Sequence, residues 1–395
     1  MLLVCDESGL IGKEHFAIDG YKLPSDASRQ WSGKHSELRK KSEKLKAAAK
    51  KIIERHKEND GVKGNNNQNR ASELKTIGTL IKNAQKIDRF LQNNEKHIGE
   101  GRGKNEVKSN ITDNESANML TSKGAIQGYA CVTAADEKYQ IIVNAEAFGM
   151  GQEQATLKPT VEGIKKNLSK DILKGALKLT ADTGFCSEAN MKYMFDEGID
   201  AYIPDGQFRK RNPVFADSKT YNKHKEKRKK TRKDQRGEGS RLPNSEFVVN
   251  EESKTCICSN GKEMIFVGQS STSTSGMRLG FRGYLKDCRE CPIQKRCMKR
   301  EVKDRGRQVS FLLEEHKRSP YLDLMKRKID SEYGRQIYSR RMWTIEPVFG
   351  NITSNKGLDR LTLRGKSKVT SQWLMYCMVH NIEKLWRYGK IGVAN

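Results

Sequence analysis

An α/β fold built on a mixed sheet flanked by helices is what this sequence predicts, on three observations. Short apolar runs with strand spacing alternate with longer helical patterns between residues 16 and 204. Two of the runs lead straight into an aspartate backed by small residues: Phe16-Ala17-Ile18-Asp19-Gly20-Tyr21 and Leu179-Thr180-Ala181-Asp182-Thr183-Gly184. Two long helical patterns and a cysteine cluster interrupt this order as insertions.

The elements follow in order. Residues 16–24 read as a strand. Residues 36–59 form a helix, with Leu38, Leu45, Ala48 and Ile52 as an apolar stripe among Lys and Glu. A polar turn at 60–69 leads to a second helix over 71–95, carrying Leu74, Ile77, Leu80, Ile81, Ala84, Ile87 and Leu91, so the two make a helical hairpin. Glycines at 99–103 mark a linker. Strands at 127–135 and 139–147 flank the turn Asp136-Glu137-Lys138. A helix over 157–168, a strand over 177–181, a helix over 188–197 capped by Ser187 and a strand over 200–204 complete the order. Strand, hairpin, helix, strand, helix, strand is the order of a ribonuclease-H-like fold. Ser319 and Pro320 open a helix running toward Glu346. The last helix spans 369–388, with Trp373, Leu374, Met378, Ile382 and Leu385 on its apolar face. The expected organisation is 1–35 first strand, 36–105 helical-hairpin insertion, 106–206 core, 207–305 basic linker and Cys-rich insertion, and 306–395 C-terminal helices.

Composition restricts function. The 395 residues carry 75 Lys+Arg against 49 Asp+Glu, a formal charge of +26. Such an excess favours a polyanionic partner through phosphate neutralisation and counterion release. The basic run at 223–233, inside a low-complexity stretch at 207–242, reads as both a disordered solvated loop and a phosphate-tracking arm that orders only on DNA. No apolar run approaches the ~20 residues of a membrane span. Met1-Leu2-Leu3-Val4-Cys5 is too short for a signal-peptide core. Nine unevenly spaced cysteines do not suit a secreted disulfide framework, so a reducing cytoplasm is expected.

Three acids stand out: Asp19 and Asp182, each expected at a strand's C-terminal end, and Glu346 on a helix in Trp343-Thr344-Ile345-Glu346-Pro347. Two strand-end carboxylates and one helical carboxylate are how a nuclease-type site gathers two Mg2+ ions. Small residues beside each aspartate leave room for metal and phosphate. Asp136 competes for the first position, but it sits in a tight hairpin turn, where Asp is common for structural reasons. Asp19 is preferred.

These segments carry a family resemblance. Ala181-Asp-Thr-Gly-Phe-Cys-Ser-Glu-Ala-Asn190, Asp200-Ala-Tyr-Ile-Pro204, Thr344-Ile-Glu-Pro-Val-Phe-Gly350 and Ala17-Ile-Asp-Gly-Tyr-Lys-Leu-Pro-Ser-Asp-Ala-Ser28 resemble bacterial insertion-sequence transposases of the DDE superfamily. The resemblance implies a ribonuclease-H-like catalytic domain with Asp19, Asp182 and Glu346 binding Mg2+ or Mn2+. It implies DNA contacts from Tyr338 and Arg341, with Arg340 beside them, and a homodimer on paired DNA ends in the bacterial nucleoid. The family's lysine after the glutamate is replaced by Ile352-Thr353, and Lys356 is the nearest substitute. The chain reaches its first-acid strand after about a dozen residues and so reads as N-terminally truncated.

Five cysteines fall within 245–300. Cys258, Cys288, Cys291 and Cys297 are the choice for a structural Zn2+ site, Cys288-x2-Cys291 being a common half-site; the rival reading is reduced thiols packing in a small insertion. The serine- and threonine-rich run at 270–276 reads as a flexible loop between them. Cys5, Cys131, Cys186 and Cys377 read as structural, His380 as a satisfied buried histidine, and Trp373, Trp386 and Tyr388 as core. Three functions compete: a transposase, an inert DNA-binding remnant, and a metal-dependent nuclease that only hydrolyses.

Overall fold

The computed structural model describes residues 1–59, 67–99, 105–121, 124–215, 242–272, 276–298, 302–314 and 319–389. Most of the polar turn at 60–69, the linker glycines beyond Gly99 and the basic run at 223–233 lie outside these residues. The chain divides into two units, Met1–Gly206 with Met325–Asn395, and Gln207–Leu324.

The first unit is organised around β1 (His15–Pro24), with β2 (Ala117–Thr121), β3 (Gly124–Asp136), β4 (Ile142–Phe148), β5 (Lys178–Ala181) and β6 (Asp200–Tyr202). The sheet order is β2-β3-β1-β5-β6, with β4 also pairing β3. β3 lies antiparallel to β1, whereas β5 lies parallel to β1 and β6 parallel to β5. This mixed sheet is consistent with a ribonuclease-H-like domain. One expectation needs correcting. Asp19 is not at a strand end: β1 continues to Pro24, because β3 keeps pairing it as far as Gly128 after β5 has stopped at Ile18↔Ala181.

Strand alternation sorts β1 onto two faces. Ala17 and Leu23 belong to a core cluster with Ile345, Val348, Phe349, Val369 and Trp373 from the C-terminal helices. Full burial of a Leu, Ile, Val or Phe side chain among these contributes about 1.5–3 kcal/mol. Asp19 and Tyr21 share that face. The opposite face carries α4 (Leu157–Asn167), whose Leu157, Val161 and Ile164 are buried. α1 (Leu2–Glu7) precedes β1, and α5 (Glu188–Asp196) starts at Ser187, whose hydroxyl accepts from the Asn190 N–H as expected.

α2 (His35–Asn59) and α3 (Asn67–Asn93) pack antiparallel: Leu38 meets Ile87 and Phe90, Ser42 donates to Asp88 at 2.6 Å, and Arg55 pairs with Glu73 farther along.

The expected single helix from 319 is two. α6 (Pro320–Asp330) stops and α7 (Glu332–Gly350) begins, because the Ser331 hydroxyl accepts from the Gly334 N–H at 2.9 Å and caps a new helix. α7 contains Pro347, which has no N–H to give the Trp343 carbonyl. The Gln140 Nε2 in the β3–β4 turn donates to that carbonyl instead, at 3.0 Å. Gln140 also accepts from Lys384 Nζ through its side chain and from His380 Nε2 through its carbonyl, at 2.8 and 2.9 Å.

α8 (Lys366–Tyr388) buries Val369, Trp373, Cys377, His380 and Leu385. Its expected apolar face is only partly core, since Leu374, Met378 and Ile382 are exposed. Trp386 is 81% exposed, which corrects its assignment to the core. Thirteen residues beyond Trp373, it points to a different side of a helix turning about 100° per residue. Tyr388 is exposed also and stacks on Tyr139 at 4.9 Å. Among the described residues no helix is long and apolar enough to cross a membrane.

The second unit contains a hairpin of β7 (Val248–Asn250) and β8 (Thr255–Ile257) and an antiparallel sheet of β9 (Met264–Thr272), β10 (Gly276–Gly283) and β11 (Gln308–Glu314). Ser270 and Ser271 are therefore strand residues facing Arg278 and Met277, not loop; residues 273–275 of that expected loop lie outside the described ones. The segment expected to be helical from 306 opens instead with β11, where Val309, Phe311 and Leu313 alternate toward the core.

Candidate active site

The parallel register sets the site. Ile18 pairs Ala181, so the next residue on each strand, Asp19 and Asp182, emerges beside the other. Asp182 is extended (φ −71°, ψ 165°) and immediately precedes a short 3-10 turn, Thr183–Phe185. α7 crosses this edge on the Asp19 face. From it the Arg341 guanidinium bonds Asp19 Oδ2 and lies 3.6 Å from Asp182 Oδ1. The Tyr338 hydroxyl donates to Asp182 Oδ1 at 3.3 Å, and its ring lies 5.6 Å from the guanidinium carbon. The Gly20 N–H donates to Asp19 Oδ1 at 2.8 Å.

Burial pushes the Asp19 carboxyl up to about 6; Arg341 pulls it down, and the Asp182 charge adds to the rise. Desolvation thus outweighs one guanidinium, and the pair favours more positive charge than it holds. Burial likewise pushes the Tyr338 phenol up to about 12. Two adjacent carboxylates that already hold a cation between them fit a hard divalent ion, which prefers oxygen ligands.

Glu346 lies between Arg341 and Phe349, the residue whose ring meets Tyr21 at 5.4 Å. Its side chain is exposed on the flank of α7. Among the described residues no three His, Cys, Asp or Glu side chains are gathered to hold an ion as they stand. The structure therefore brings Asp19 and Asp182 together without drawing Glu346 in to coordinating distance.

The remaining expected residues have definite places. Arg340 makes two bonds to Glu137, at 2.7 and 2.5 Å. Lys356 pairs with Glu383 at 2.6 Å; with Asn351, it holds the Glu383 carboxyl down to about 2. Asp136 accepts from the backbone N–H groups of Gly12, Lys13 and Lys138 at 2.9–3.0 Å, the structural use expected of a turn aspartate. It faces Phe16 in the register, on the β1 stretch before Asp19.

Two features escaped the sequence reading. Glu153 pairs with Lys22 at 3.3 Å and packs on Gly184, where an added Cβ would meet its Oε2 at 1.8 Å. Gly184, two residues after Asp182, thus admits Glu153 rather than leaving open space for phosphate. The Gly in each acid motif was the available signal, but its neighbour could not be named from sequence. Secondly, buried His15 contacts Thr180 Oγ1 at 3.0 Å and lies 3.6 Å from Glu137, the partner of Arg340. Burial pulls it down to about 4, so it is neutral near pH 7.

No curated protein and no solved structure matched this chain. Residues 257–386, about a third of the chain, match the family model described as Transposase DDE domain, a stretch that includes Tyr338, Arg341 and Glu346 but neither aspartate. That match supports a DDE-family transposase, an enzyme of the nuclease or transposase kind; such enzymes act on DNA and use divalent metals such as Mg2+.

Proposed function

We propose that this chain is a DNA transposase that cleaves phosphodiesters at the ends of an insertion sequence and joins them to a target duplex. The observation that carries the reading is the Asp19–Asp182 pair, set side by side by the β1–β5 register and bridged by Arg341. Asp19 and Asp182 would hold the divalent ion, with Glu346 completing the set from the flank of α7. Mg2+ or Mn2+, when bound, supplies the charge that activates the attacking oxygen and stabilises the leaving one.

The chain's own residues do the rest. In-line attack by water or a 3′-hydroxyl forms one P–O bond as the other breaks, and the leaving oxygen departs on the far side of phosphorus. Arg341 is released from Asp19 to the phosphate, a planar donor suited to bidentate contact. Tyr338 keeps Asp182 oriented through its hydroxyl. Arg340 and Lys356, tied to Glu137 and Glu383, position α7 and the turn after it rather than touch DNA in this arrangement. The formal charge of +26 draws DNA to the site. A homodimer on paired ends belongs to the same proposal and rests on the family resemblance.

The test is Mn2+-dependent nicking of supercoiled plasmid, followed by strand transfer into a second duplex. Activity that disappears in Asp182→Ala supports the reading. Nicking without strand transfer would favour a nuclease. Binding that persists in chelator with no cleavage would favour an inert remnant.

A further inference from the structure

The cysteine-rich unit lies apart from the acidic pair in sequence, and its thiols have no part in that chemistry. Four of its five cysteines, Cys258, Cys288, Cys291 and Cys297, line one cavity of about 30 Å³. The fifth, Cys256, does not: it is buried in the apolar core with its sulfur 3.7 Å from the Met264 sulfur.

The surroundings of the four are built. Cys258 stands at the head of a tight turn, its N–H bonded to the Lys262 carbonyl and its carbonyl accepting from the Gly261 N–H, both at 2.8 Å. Cys288 and Cys291 bracket the end of the short helix Leu285–Arg289, where Gln294 binds both: its side chain donates to the Cys288 carbonyl at 2.9 Å and its N–H to the Cys291 carbonyl at 3.0 Å. Cys297 closes the short helix Gln294–Cys297. The Arg307 backbone N–H donates to the Cys288 sulfur. That sulfur sits where a Cβ on Gly283 would approach to 2.6 Å and one on Gly306 to 3.0 Å, so two glycines make its seat. The positive charge of Arg307 acts on Cys297, as do the three other thiols.

The small core of this unit gives a reason for a cross-link. Among the described residues, the core cluster of this unit's sheets has six buried side chains, Phe247, Cys256, Met264, Leu279, Phe281 and Val309. Small cores of this kind usually need a staple. A set of four thiolates that includes a Cys-x2-Cys pair is a common tetrahedral zinc site, and N–H donors to thiolate sulfur with a nearby cation offset its negative charge.

We propose that Cys258, Cys288, Cys291 and Cys297 form a structural zinc site that joins the turn after β8 to the two short helices. As the side chains stand they are not gathered tightly enough to hold an ion, so binding includes their turning inward to Zn–S distances of about 2.3 Å. Each thiol enters as a thiolate and releases one proton to solvent, leaving four thiolates on one Zn2+.

The experiment uses the full chain carrying Asp182→Ala, so that the acidic pair cannot account for bound metal. Zinc is measured after purification under reducing conditions, and Co2+ is then titrated into the metal-stripped chain. The expected result is about one zinc per chain, with thiolate charge-transfer and tetrahedral ligand-field bands on adding Co2+. Cys288→Ser/Cys291→Ser should lose both, whereas Cys256→Ala keeps both. Limited proteolysis should cut the second unit at least tenfold faster after chelation and leave the first unit unchanged. No zinc and no cobalt spectrum in the reduced chain would overturn the proposal. So would metal that stays in the double variant, or a disulfide among the four that persists in reductant.

Discussion

The Arg341 guanidinium bonds Asp19 Oδ2 and lies 3.6 Å from Asp182 Oδ1, so one cation from α7 bridges the two carboxylates that β1 and β5 set side by side. The arrangement makes Arg341 both a structural partner and a competitor for the ion.

As a partner, Arg341 is mostly buried, and truncating one side of such a pair leaves an uncompensated charge. Arg341→Ala is expected to destabilise the first unit by about 3–5 kcal/mol, read from urea unfolding monitored by the fluorescence of buried Trp373. Arg341→Lys should retain part of the stability. An unchanged midpoint in Arg341→Ala would mean that the pair contributes nothing.

As a competitor, Arg341 must leave Asp19 before an ion binds there. Arg341→Gln should bind Mn2+ several-fold more tightly in the absence of DNA, measured by calorimetry, while cleaving DNA more slowly. Equal affinity in both chains would show that the guanidinium does not occupy the ion's place.

Gln140 gives a prediction about α7 itself. Its side chain satisfies the Trp343 carbonyl left without a donor by Pro347, one residue after Glu346. Gln140→Ala should cost about 1–3 kcal/mol and disturb Glu346. Gln140→Glu, which keeps the acceptor for Lys384 but loses the donor, should lose activity similarly. Activity unaffected in both would break the link between this bond and the site.

His380 sets a pH dependence. Burial pulls it down to about 4, with the Gln140 carbonyl and Glu383 opposing and Lys384 and Lys356 pulling the same way as burial. Its Nδ1 accepts from Asn351, which a protonated ring could not do, and burial outweighs the Gln140 carbonyl that its Nε2–H meets and that favours the charged form, so the folded state keeps it neutral. The unfolded state takes a proton near pH 6.5, so stability falls as pH drops from there toward about 4. The full contribution is about 3 kcal/mol. His380→Gln should flatten the slope of stability against pH in this window, measured by chemical denaturation at successive pH values. A slope equal to that of the unmodified chain would contradict the assignment.

The sequence made much of the framework legible, for reasons visible at particular residues. Strand spacing located β1, β3, β5 and β6, and helical spacing located α2, α3 and α8. Asp19 and Asp182 were recognisable because each follows an apolar strand. The strand-end expectation failed for Asp19 because β3 pairs past it, a property of the partner strand that β1 alone does not encode. The break at Ser331 is a local capping choice competing with a continuous helical pattern. Trp386 was misassigned because apolar character does not say which side of α8 meets the sheet. Glu153 could not be found, since its place depends on a loop folding back over Gly184. The flank position of Glu346 depends on how α7 lies against β1, which no local pattern records.

The most direct test of the central claim is Mn2+-dependent nicking of supercoiled plasmid by the purified chain, with Asp182→Ala and Asp19→Ala beside it. The account predicts nicking by the unmodified chain that falls at least a hundredfold in either variant while DNA binding is retained. Nicking that survives in both variants would contradict it, because the Asp19–Asp182 pair would then not be the catalytic site.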